Sequence, residues 1–332
     1  MTTDILRLEC DNLVIGSGLA GLTAALRLRG KTIVATAGLG ATAMSGGVMA
    51  LPQERDPEAE QWLVQTLRET SCPYREGYCM TDRLSIRRGM VQASMDYKDR
   101  PVIISLDGRP SGNMVAIDVK PFAGRSYQEI AHLIDTDDSV LEALGAVLSD
   151  AGRECYLLPP VLGISRAQEV RRRLERATGA SIYEYVAAPS VLGLRLVRAL
   201  REVVDRNDDI TVLETTRIDS LNNGATGHMG TKGKRGLLVH AARIVIATGG
   251  PFTGFRVSGD RVYEPLTGIE VGDLEADLGH AFAADHPLMF KGVGVRPAAG
   301  TGPGRTCAAG AAAIGFGLYE ALVTGYHAGD DQ

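Results

Sequence analysis

The chain has 332 residues, of which 45% are apolar, so it can bury a large core and is not a disordered sequence. Its net charge of −5, from 35 basic and 40 acidic residues, argues against nucleic-acid binding. No apolar run reaches the roughly 18 residues that cross a bilayer, and the N-terminus does not resemble a signal peptide, so we expect a cytoplasmic protein. The five cysteines form no C-x-x-C pair, which argues against a zinc or self-contained iron–sulfur site and predicts free thiols.

The N-terminal segment follows the order strand, glycine turn, helix, strand. Residues 12–15 predict a buried strand, residues 22–29 a helix that ends at Gly30, and residues 31–35 a second strand. This order is typical of a doubly wound sheet, so we predict an α/β fold with a Rossmann-like domain.

The rest of the chain mixes helices and strands. Helices are predicted over residues 57–70, 127–134, 139–148, 166–177 and from 189 to about 205. Strands are predicted over residues 114–119, 155–158, 210–213, 236–240 and 243–247. We interpret residues 1–74 and 189–332 as a discontinuous nucleotide-binding domain, and residues 75–188 as an inserted α/β domain that caps the site or binds substrate.

The segment Gly16-Ser17-Gly18-Leu19-Ala20-Gly21 predicts a phosphate site between the first strand and helix. The first glycine permits a tight turn, the second lets the backbone approach a phosphate, and the third lets the helix pack on the strand. The helix N-terminus then offers N–H groups to the anion. A glycine-rich turn in an ordinary α/β protein is the alternative.

Position 36 carries Thr where dinucleotide sites usually place Asp or Glu, about 20 residues after the first glycine. No carboxylate occurs in residues 12–53, whereas Arg27, Arg29 and Lys31 lie there and would welcome an anion. The missing acid favours a mononucleotide, or a dinucleotide whose ribose is held differently. A Thr36 hydroxyl that replaces the acid is the alternative.

Two further glycine clusters are expected to bind the cofactor. Ser45-Gly46-Gly47 follows the second strand, where backbone amides could reach a ring or a phosphate. Thr248-Gly249-Gly250 follows a buried strand, and α/β sheets bind ligands at the carboxyl ends of their strands. A plain strand–turn is the alternative for each cluster alone.

Together these motifs resemble the flavoprotein family that includes fumarate reductase and succinate dehydrogenase, and more narrowly the B-type chains of anaerobic glycerol-3-phosphate dehydrogenases. The most distinctive segments are residues 156–163, 189–195, 247–254, 264–271 and 321–329. The resemblance implies a flavin, with FMN as the first choice and FAD as the alternative. It implies oxidation of sn-glycerol 3-phosphate in a complex with an A-type flavoprotein subunit and an iron–sulfur C-type subunit. Electrons would pass to a quinone, with the complex peripheral on the inner face of the cell membrane.

The side chains suited to an anionic alcohol substrate occur late in the chain, at Arg256, Arg261, His280, His286, Lys291, Arg296 and Arg305. An Arg fork binds phosphate, and His can take the hydroxyl proton near neutral pH. We select His286, Arg296 and Arg256 as catalytic candidates, with solvated surface positions as the alternative. The run Arg171-Arg172-Arg173 is interpreted as a solvated helix face.

The chain departs from the resembled family in two places. Residues 309–311 read Ala-Gly-Ala where the last flavin motif has Gly followed by an acid, and the chain is shorter than family members in the middle and near the C-terminus. Two rivals therefore stay open. One is a structural or electron-relay subunit with a degenerate flavin site, and the other is a stand-alone flavoprotein with another hydroxy or enoate substrate.

Overall fold

The computed structural model describes residues 5–81, 85–95, 100–106, 114–187, 191–230, 235–249, 256–258, 261–268, 270–271, 305–308 and 317–329. The chain divides into two compact units. Unit 1 comprises residues 1–42, 56–60 and 200–332, and unit 2 comprises residues 43–55 and 61–199. The inserted domain over residues 75–188 stays a prediction.

The described helices, in chain order, are α1 (Leu19–Arg27), α2 (Ala41–Met44), α3 (Pro57–Leu67), α4 (Tyr127–Thr136), α5 (Asp138–Ala151), α6 (Ala167–Thr178), α7 (Val191–Val204) and α8 (Leu318–His327). A short 3-10 helix spans Lys120–Phe122. The described strands are β1 (Ile5–Ile15), β2 (Thr32–Ala35), β3 (Met49–Ala50), β4 (Arg75–Met80), β5 (Ile86–Val91), β6 (Val102–Ser105), β7 (Met114–Ala116), β8 (Cys155–Leu158), β9 (Ser181–Glu184), β10 (Ile210–Leu213), β11 (Thr216–Ser220), β12 (Ala225–Met229), β13 (Arg235–Ile246), β14 (Arg256–Ser258), β15 (Arg261–Tyr263), β16 (Glu270–Val271) and β17 (Arg305–Ala308).

Most predicted elements are present, with shifted ends. The strands predicted over 155–158 and 210–213 coincide with β8 and β10. Helix α1 begins three residues earlier than predicted, directly after Gly18, and ends at Arg27 rather than beside Gly30. The separate strands predicted over 236–240 and 243–247 are wrong, because β13 continues through both while it pairs in parallel with β1.

A seven-stranded sheet forms the centre of unit 1, in the order β10-β2-β1-β13-β12-β11, with β17 also paired to β13. Strands β10, β2, β1, β13 and β17 are parallel, whereas β11 and β12 form an antiparallel hairpin. Alternate residues enter different apolar clusters: Leu13 and Ile244 belong to one, Val14 and Val245 to the other. Burial on both faces is what a parallel sheet in an α/β protein requires, so the predicted fold class is confirmed.

Helix α8 packs against α1 within unit 1. A Cβ at Gly325 would lie only 2.4 Å from the carbonyl oxygen of Ala20, so this glycine lets the two helix backbones approach closely. The guanidinium of Arg27, in the last turn of α1, lies 4.1 Å from the centroid of the Tyr326 ring. This cation–π contact fixes Arg27 at the C-terminal end of α1.

Unit 2 contains a parallel sheet, β7-β6-β8-β9, and an antiparallel sheet, β3-β5-β4. Its main apolar cluster joins the parallel sheet to α4, α5 and α6 through residues such as Ile130, Leu144 and Leu174. Tyr156 of β8 is fully buried in this cluster, and its hydroxyl donates to the carbonyl of Leu148 at 2.5 Å. The polar atom of the largest core side chain is therefore satisfied.

A buried ion pair joins α7 to β9 in unit 2. The two terminal nitrogens of Arg195 donate to the two carboxylate oxygens of Glu184 at 2.5 and 2.9 Å, and its Nε donates to the carbonyl of Gly163 at 2.6 Å. The exposed fractions of the two charged side chains are 3% and 9%. Through its bond to the carbonyl of Gly163, Arg195 also connects two of the segments that carry the family resemblance, residues 156–163 and 189–195. The distinctive sequence of these segments therefore has a structural role.

Replacing Arg195 by Met should lower the free energy of unfolding by about 3–5 kcal/mol, because the Glu184 carboxylate would stay buried without its cation. Urea denaturation measures this loss. Arg198, one turn further along α7 and exposed, provides the matched control. Arg198→Met should change the free energy of unfolding by less than about 0.5 kcal/mol. Equal values for the two variants would contradict a stabilising role for the pair.

Candidate functional site

The first glycine cluster lies at the carboxyl ends of three adjacent parallel strands of unit 1. The carbonyl of Ile15 accepts the N–H of Ala247 at 2.8 Å, and the N–H of Gly16 donates to the carbonyl of Ala35 at 2.9 Å. Gly16 has a φ of +118°, and a Cβ there would lie 2.1 Å from the carbonyl oxygen of Ala247. Only glycine combines this backbone conformation with this close approach.

Gly21 and Gly18 differ in which atoms a Cβ at each position would contact. A Cβ at Gly21 would lie 2.0 Å from the carbonyl oxygen of Gly16, so this glycine packs α1 against the turn. Among the described residues, a Cβ at Gly18 would meet the hydroxyl oxygen of Thr42 at 3.2 Å and no backbone atom, and the Gly18 φ of −74° suits any residue. Backbone packing therefore explains Gly16 and Gly21, whereas Gly18 has one side-chain contact of this kind.

The N-terminus of α1 provides hydrogen-bond donors at this turn. The N–H of Leu19 donates to the Thr42 hydroxyl at 2.9 Å. The N–H groups of Ala20 and Gly21 have no acceptor within the helix, because first-turn amides lack intrahelical partners. The helix dipole makes the same end attractive to an anion. Thr42 was missed by sequence analysis, since only the fold brings its hydroxyl to the turn.

Thr36 and Ser17 are hydrogen-bonded to each other beside the turn. The hydroxyl of Thr36, which is 3% exposed, donates to the carbonyl of Gly38 at 2.8 Å. Since its one proton is used there, it accepts from the Ser17 hydroxyl, which is 2.7 Å away. Thr36 therefore acts locally as a brace for the loop after β2, and the oxygen of Ser17 keeps capacity to accept.

The third glycine cluster follows β13 and adjoins the first through the contact of Gly16 with Ala247. Gly249 has a φ of +83°, which turns the chain directly after the strand. Thr248 and Gly249 are half-buried, and Gly250 lies outside the described residues. The structure thus brings the first cluster, Thr36 and residues 247–249 to one edge of the sheet in unit 1.

The second glycine cluster belongs to unit 2, where its glycines are in contact with protein. A Cβ at Gly47, which has a φ of +63°, would lie 2.5 Å from the backbone of Leu192 on α7. A Cβ at Gly46 would lie 2.6 Å from the side chain of Val186. The hydroxyl of Ser45 accepts the N–H of Gly47 at 3.2 Å. Packing within unit 2 is a sufficient reason for both glycines, and cofactor contact by this cluster stays a prediction.

The three cations expected near the phosphate site lie elsewhere. Arg27 is at the C-terminal end of α1, and Arg29 and Lys31 precede β2, so all three are at the amino edge of the parallel strands. The Lys31 N–H donates to the carboxylate of Asp11 at 2.7 Å. The expectation that these cations attract the anion is wrong. Helix α1 returns the chain to the amino ends of the strands before it reaches them, so its length separates them from Gly16.

The side chains of the three catalytic candidates all lie outside the described part of the chain. Arg256 begins β14, which pairs with β15, but its side chain lies outside the described part of the chain. His286 and Arg296 lie within residues 272–300, also outside it, as do residues 309–311. Their roles therefore stay predictions.

The five cysteines, all in the described part of the chain, form no disulfide. Burial raises the pKa of Cys10 to about 11, and it does the same for Cys79. Among the described residues, no group of three or more His, Cys, Asp or Glu side chains could hold a metal ion. None of the helices in those ranges has the length and apolar character needed to cross a bilayer.

A family model for an FAD binding domain matches residues 11–273 of the chain. Among curated proteins, the chain is 26% identical over 208 residues to the B-type chain of the anaerobic glycerol-3-phosphate dehydrogenase of Yersinia pseudotuberculosis. That alignment covers 60% of this chain and 46% of the relative. The chain thus spans about half the length of the curated relatives it matches.

Solved structures of flavoproteins show more distant similarity. Mycobacterium smegmatis Sdh1 in complex with UQ1 is 19% identical, with 74% of this chain and 35% of that chain covered and a TM-score of 0.28. The 3-ketosteroid delta1-dehydrogenase from Sterolibacterium denitrificans is 17% identical, with coverage of 73% and 48% and a TM-score of 0.31.

Gly18→Val should abolish nucleotide binding, because the branched side chain would stand where a phosphate approaches the backbone at the N-terminus of α1. We expect the free energy of unfolding to fall by about 1–2 kcal/mol, because the new Cβ would lie 3.2 Å from the Thr42 hydroxyl oxygen and valine is a poor N-cap. Gly16→Ala should instead cost about 3 kcal/mol or more, since it combines overpacking with a strained backbone. Flavin titration and urea denaturation of both variants measure these effects. Normal flavin binding by Gly18→Val would show that the turn is only structural.

Proposed function

The chain belongs to the FAD binding domain family, and on that premise we propose that it binds FAD without a covalent link. The observation that carries the proposal is the turn from Gly16 to Gly21, which places the first turn of α1 directly after the carboxyl end of β1. A phosphate there would accept hydrogen bonds from the N–H groups of Ala20 and Gly21. FAD supplies two adjacent phosphates, and its isoalloxazine ring, when bound, supplies the capacity to accept a hydride.

The residues around the turn carry the kinds of hydrogen-bonding group that the rest of such a cofactor needs. Ser17 can accept a hydrogen bond from a ribose hydroxyl, with its own proton directed to Thr36. Thr248 and Gly249 extend the edge after β13, where a ligand meets a half-buried backbone. The predicted contact from Gly250 completes the proposed cofactor set of unit 1.

The cofactor proposed is FAD rather than FMN. The first choice of FMN came from the resemblance and from the absence of an acid at position 36, and the family match gives it no support. A ribose of the adenosine half would here depend on Ser17 and on backbone groups, since the proton of the Thr36 hydroxyl is used by Gly38. This arrangement replaces a charged acceptor by a neutral one.

The purified chain should absorb at about 450 nm, as an oxidised flavin does, and release FAD on denaturation. Mass spectrometry of the supernatant identifies the cofactor, and titration of the cofactor-free protein compares FAD with FMN. We expect FAD to bind at least about tenfold more tightly, a difference of about 1.4 kcal/mol. Tighter binding of FMN would contradict the FAD assignment, and a protein that stays colourless with both would contradict flavin binding altogether.

We further propose that the chain is a flavoprotein subunit of a complex that oxidises glycerol 3-phosphate to dihydroxyacetone phosphate. This proposal is supported by the curated relatives, which are named as the B-type chains of anaerobic glycerol-3-phosphate dehydrogenase. The partners would be an A-type flavoprotein subunit and an iron–sulfur C-type subunit, with a peripheral place on the inner face of the cell membrane.

The proposed catalytic roles fall on three residues late in the chain. His286 would take the proton of the substrate hydroxyl, since an imidazole can accept a proton near neutral pH. Arg256 and Arg296 would bind the phosphate through their guanidinium groups. A non-catalytic relay subunit is the rival, and it predicts that the His286→Gln variant leaves the turnover of the complex unchanged.

The isolated chain should fail to couple glycerol 3-phosphate oxidation to a quinone, because its five scattered cysteines offer no cluster to carry electrons onward. Quinone reduction should appear when the A-type and C-type partners are added. The assay compares the flavin-loaded chain alone with the reconstituted mixture. Full quinone-linked turnover by the chain alone would contradict the complex, and so would peroxide formation at the rate of an oxidase.

A further inference from the structure

A large apolar side chain is exposed to solvent beside the glycine turn of unit 1. Leu39 is 69% exposed, more than any other large apolar side chain in the described ranges. It lies in the loop between β2 and α2, shortly after Thr36. Single apolar side chains are common on protein surfaces, so the exposure alone assigns no role to Leu39. The position of Leu39 relative to the turn is what indicates one.

The backbone on both sides of Leu39 is fixed beside the turn. Before it, the hydroxyl of Thr36 donates to the carbonyl of Gly38 at 2.8 Å. After it, Gly40 comes so close to the turn that a Cβ at that position would lie 3.5 Å from the Cα of Gly18. Leu39 is thereby held next to Gly18, at the carboxyl edge of the parallel strands, while its side chain stays exposed to solvent.

The end of β2 is where a dinucleotide bound at such a turn would place its adenosine half. In sites of this kind the pyrophosphate lies at the helix N-terminus, and an acid at the end of the second strand binds the adenosine ribose. The equivalent position here is Thr36, which is 3% exposed. The adenine is attached to that ribose, so it would lie next to the loop that follows β2.

This loop offers the adenine an apolar contact and no charge. Residues 36–40 read Thr-Ala-Gly-Leu-Gly, so Leu39 is its one large apolar residue, and no carboxylate occurs in residues 12–53. An adenine ring has two flat faces with little polar surface. Removing such a face and an exposed leucine side chain from water together is favourable.

We propose that Leu39 packs against the adenine of FAD and is the residue through which this chain prefers FAD to FMN. The inference rests on the proposed binding of FAD. An apolar contact with the base thus replaces the hydrogen bond that a carboxylate would accept from the ribose. FMN has no adenosine, so it would leave the Leu39 side chain in water. Leu39 determines specificity and does not hold the phosphates.

Titration of the full chain, free of cofactor, with FAD, FMN and ADP tests this role. Leu39→Ser should weaken the binding of FAD about tenfold, and that of ADP, which carries the same adenosine, by a similar factor. The binding of FMN should stay within about twofold of the unaltered chain. Leu39→Met, which keeps an apolar side chain of similar volume, should keep FAD binding within about twofold.

Ile5→Ser is the matched control. Ile5 is 50% exposed and begins β1, whereas the glycine turn follows the other end of that strand. The substitution removes an apolar side chain of the same composition, and it should leave the binding of all three ligands within about twofold. Both serine variants should unfold at nearly the same urea concentration as the unaltered chain, because both side chains are exposed.

The possible failures are distinguishable from one another. Unchanged binding of FAD by Leu39→Ser would overturn the contact and leave the FAD proposal intact. Equal losses for FAD and FMN would also overturn it, because Leu39 would then act on the part that the two cofactors share. An unaltered chain that binds neither flavin would overturn the proposed function, and this inference with it.

Discussion

The close approach of Gly16 to the carbonyl of Ala247 is the constraint on which the edge of unit 1 proposed to bind the nucleotide depends. With 2.1 Å between that oxygen and a Cβ at position 16, the turn exists only because the side chain is absent. Gly21 then packs on the carbonyl of Gly16, which aims the first turn of α1 at the strand ends. The position of the helix N–H groups follows from these two contacts.

Unit 2 depends in the same way on one buried interaction, the Arg195–Glu184 pair. Both charged side chains are buried, and burial would penalise either one alone. The pair also uses the carbonyl of Gly163, so it fixes the loop after β8 relative to α7. A sequence segment can thus be distinctive for a family without touching a ligand. Arg171, in contrast, lies in an ordinary basic run, and its Nε is buried without a hydrogen-bond partner among the described residues.

The edge of unit 1 offers an anion neutral donors rather than charged side chains. At the edge of unit 1, the donors are backbone amides, and the nearby hydroxyls of Ser17 and Thr36 are neutral. The cations of that segment are at the opposite edge, because a strand–turn–helix unit returns the chain to the amino ends of its strands. The dipole at the N-terminus of a helix suits an anion that is held by several N–H groups.

The sequence by itself determined the α/β class, the glycine turn and most of the helices, because these depend on local spacing and on residue types with restricted backbone choices. It located β8 and β10 because short apolar runs bounded by turn residues have few other conformations. Only the tertiary structure decided that β13 is one strand, since its continuity comes from pairing with β1. The tertiary structure also showed that Gly16 and Gly21 approach backbone atoms closely whereas Gly18 does not. It showed that Arg171 is half-buried whereas Arg172 is exposed. In each case the difference lies in which atoms approach from distant parts of the chain, and a local pattern carries no record of that approach.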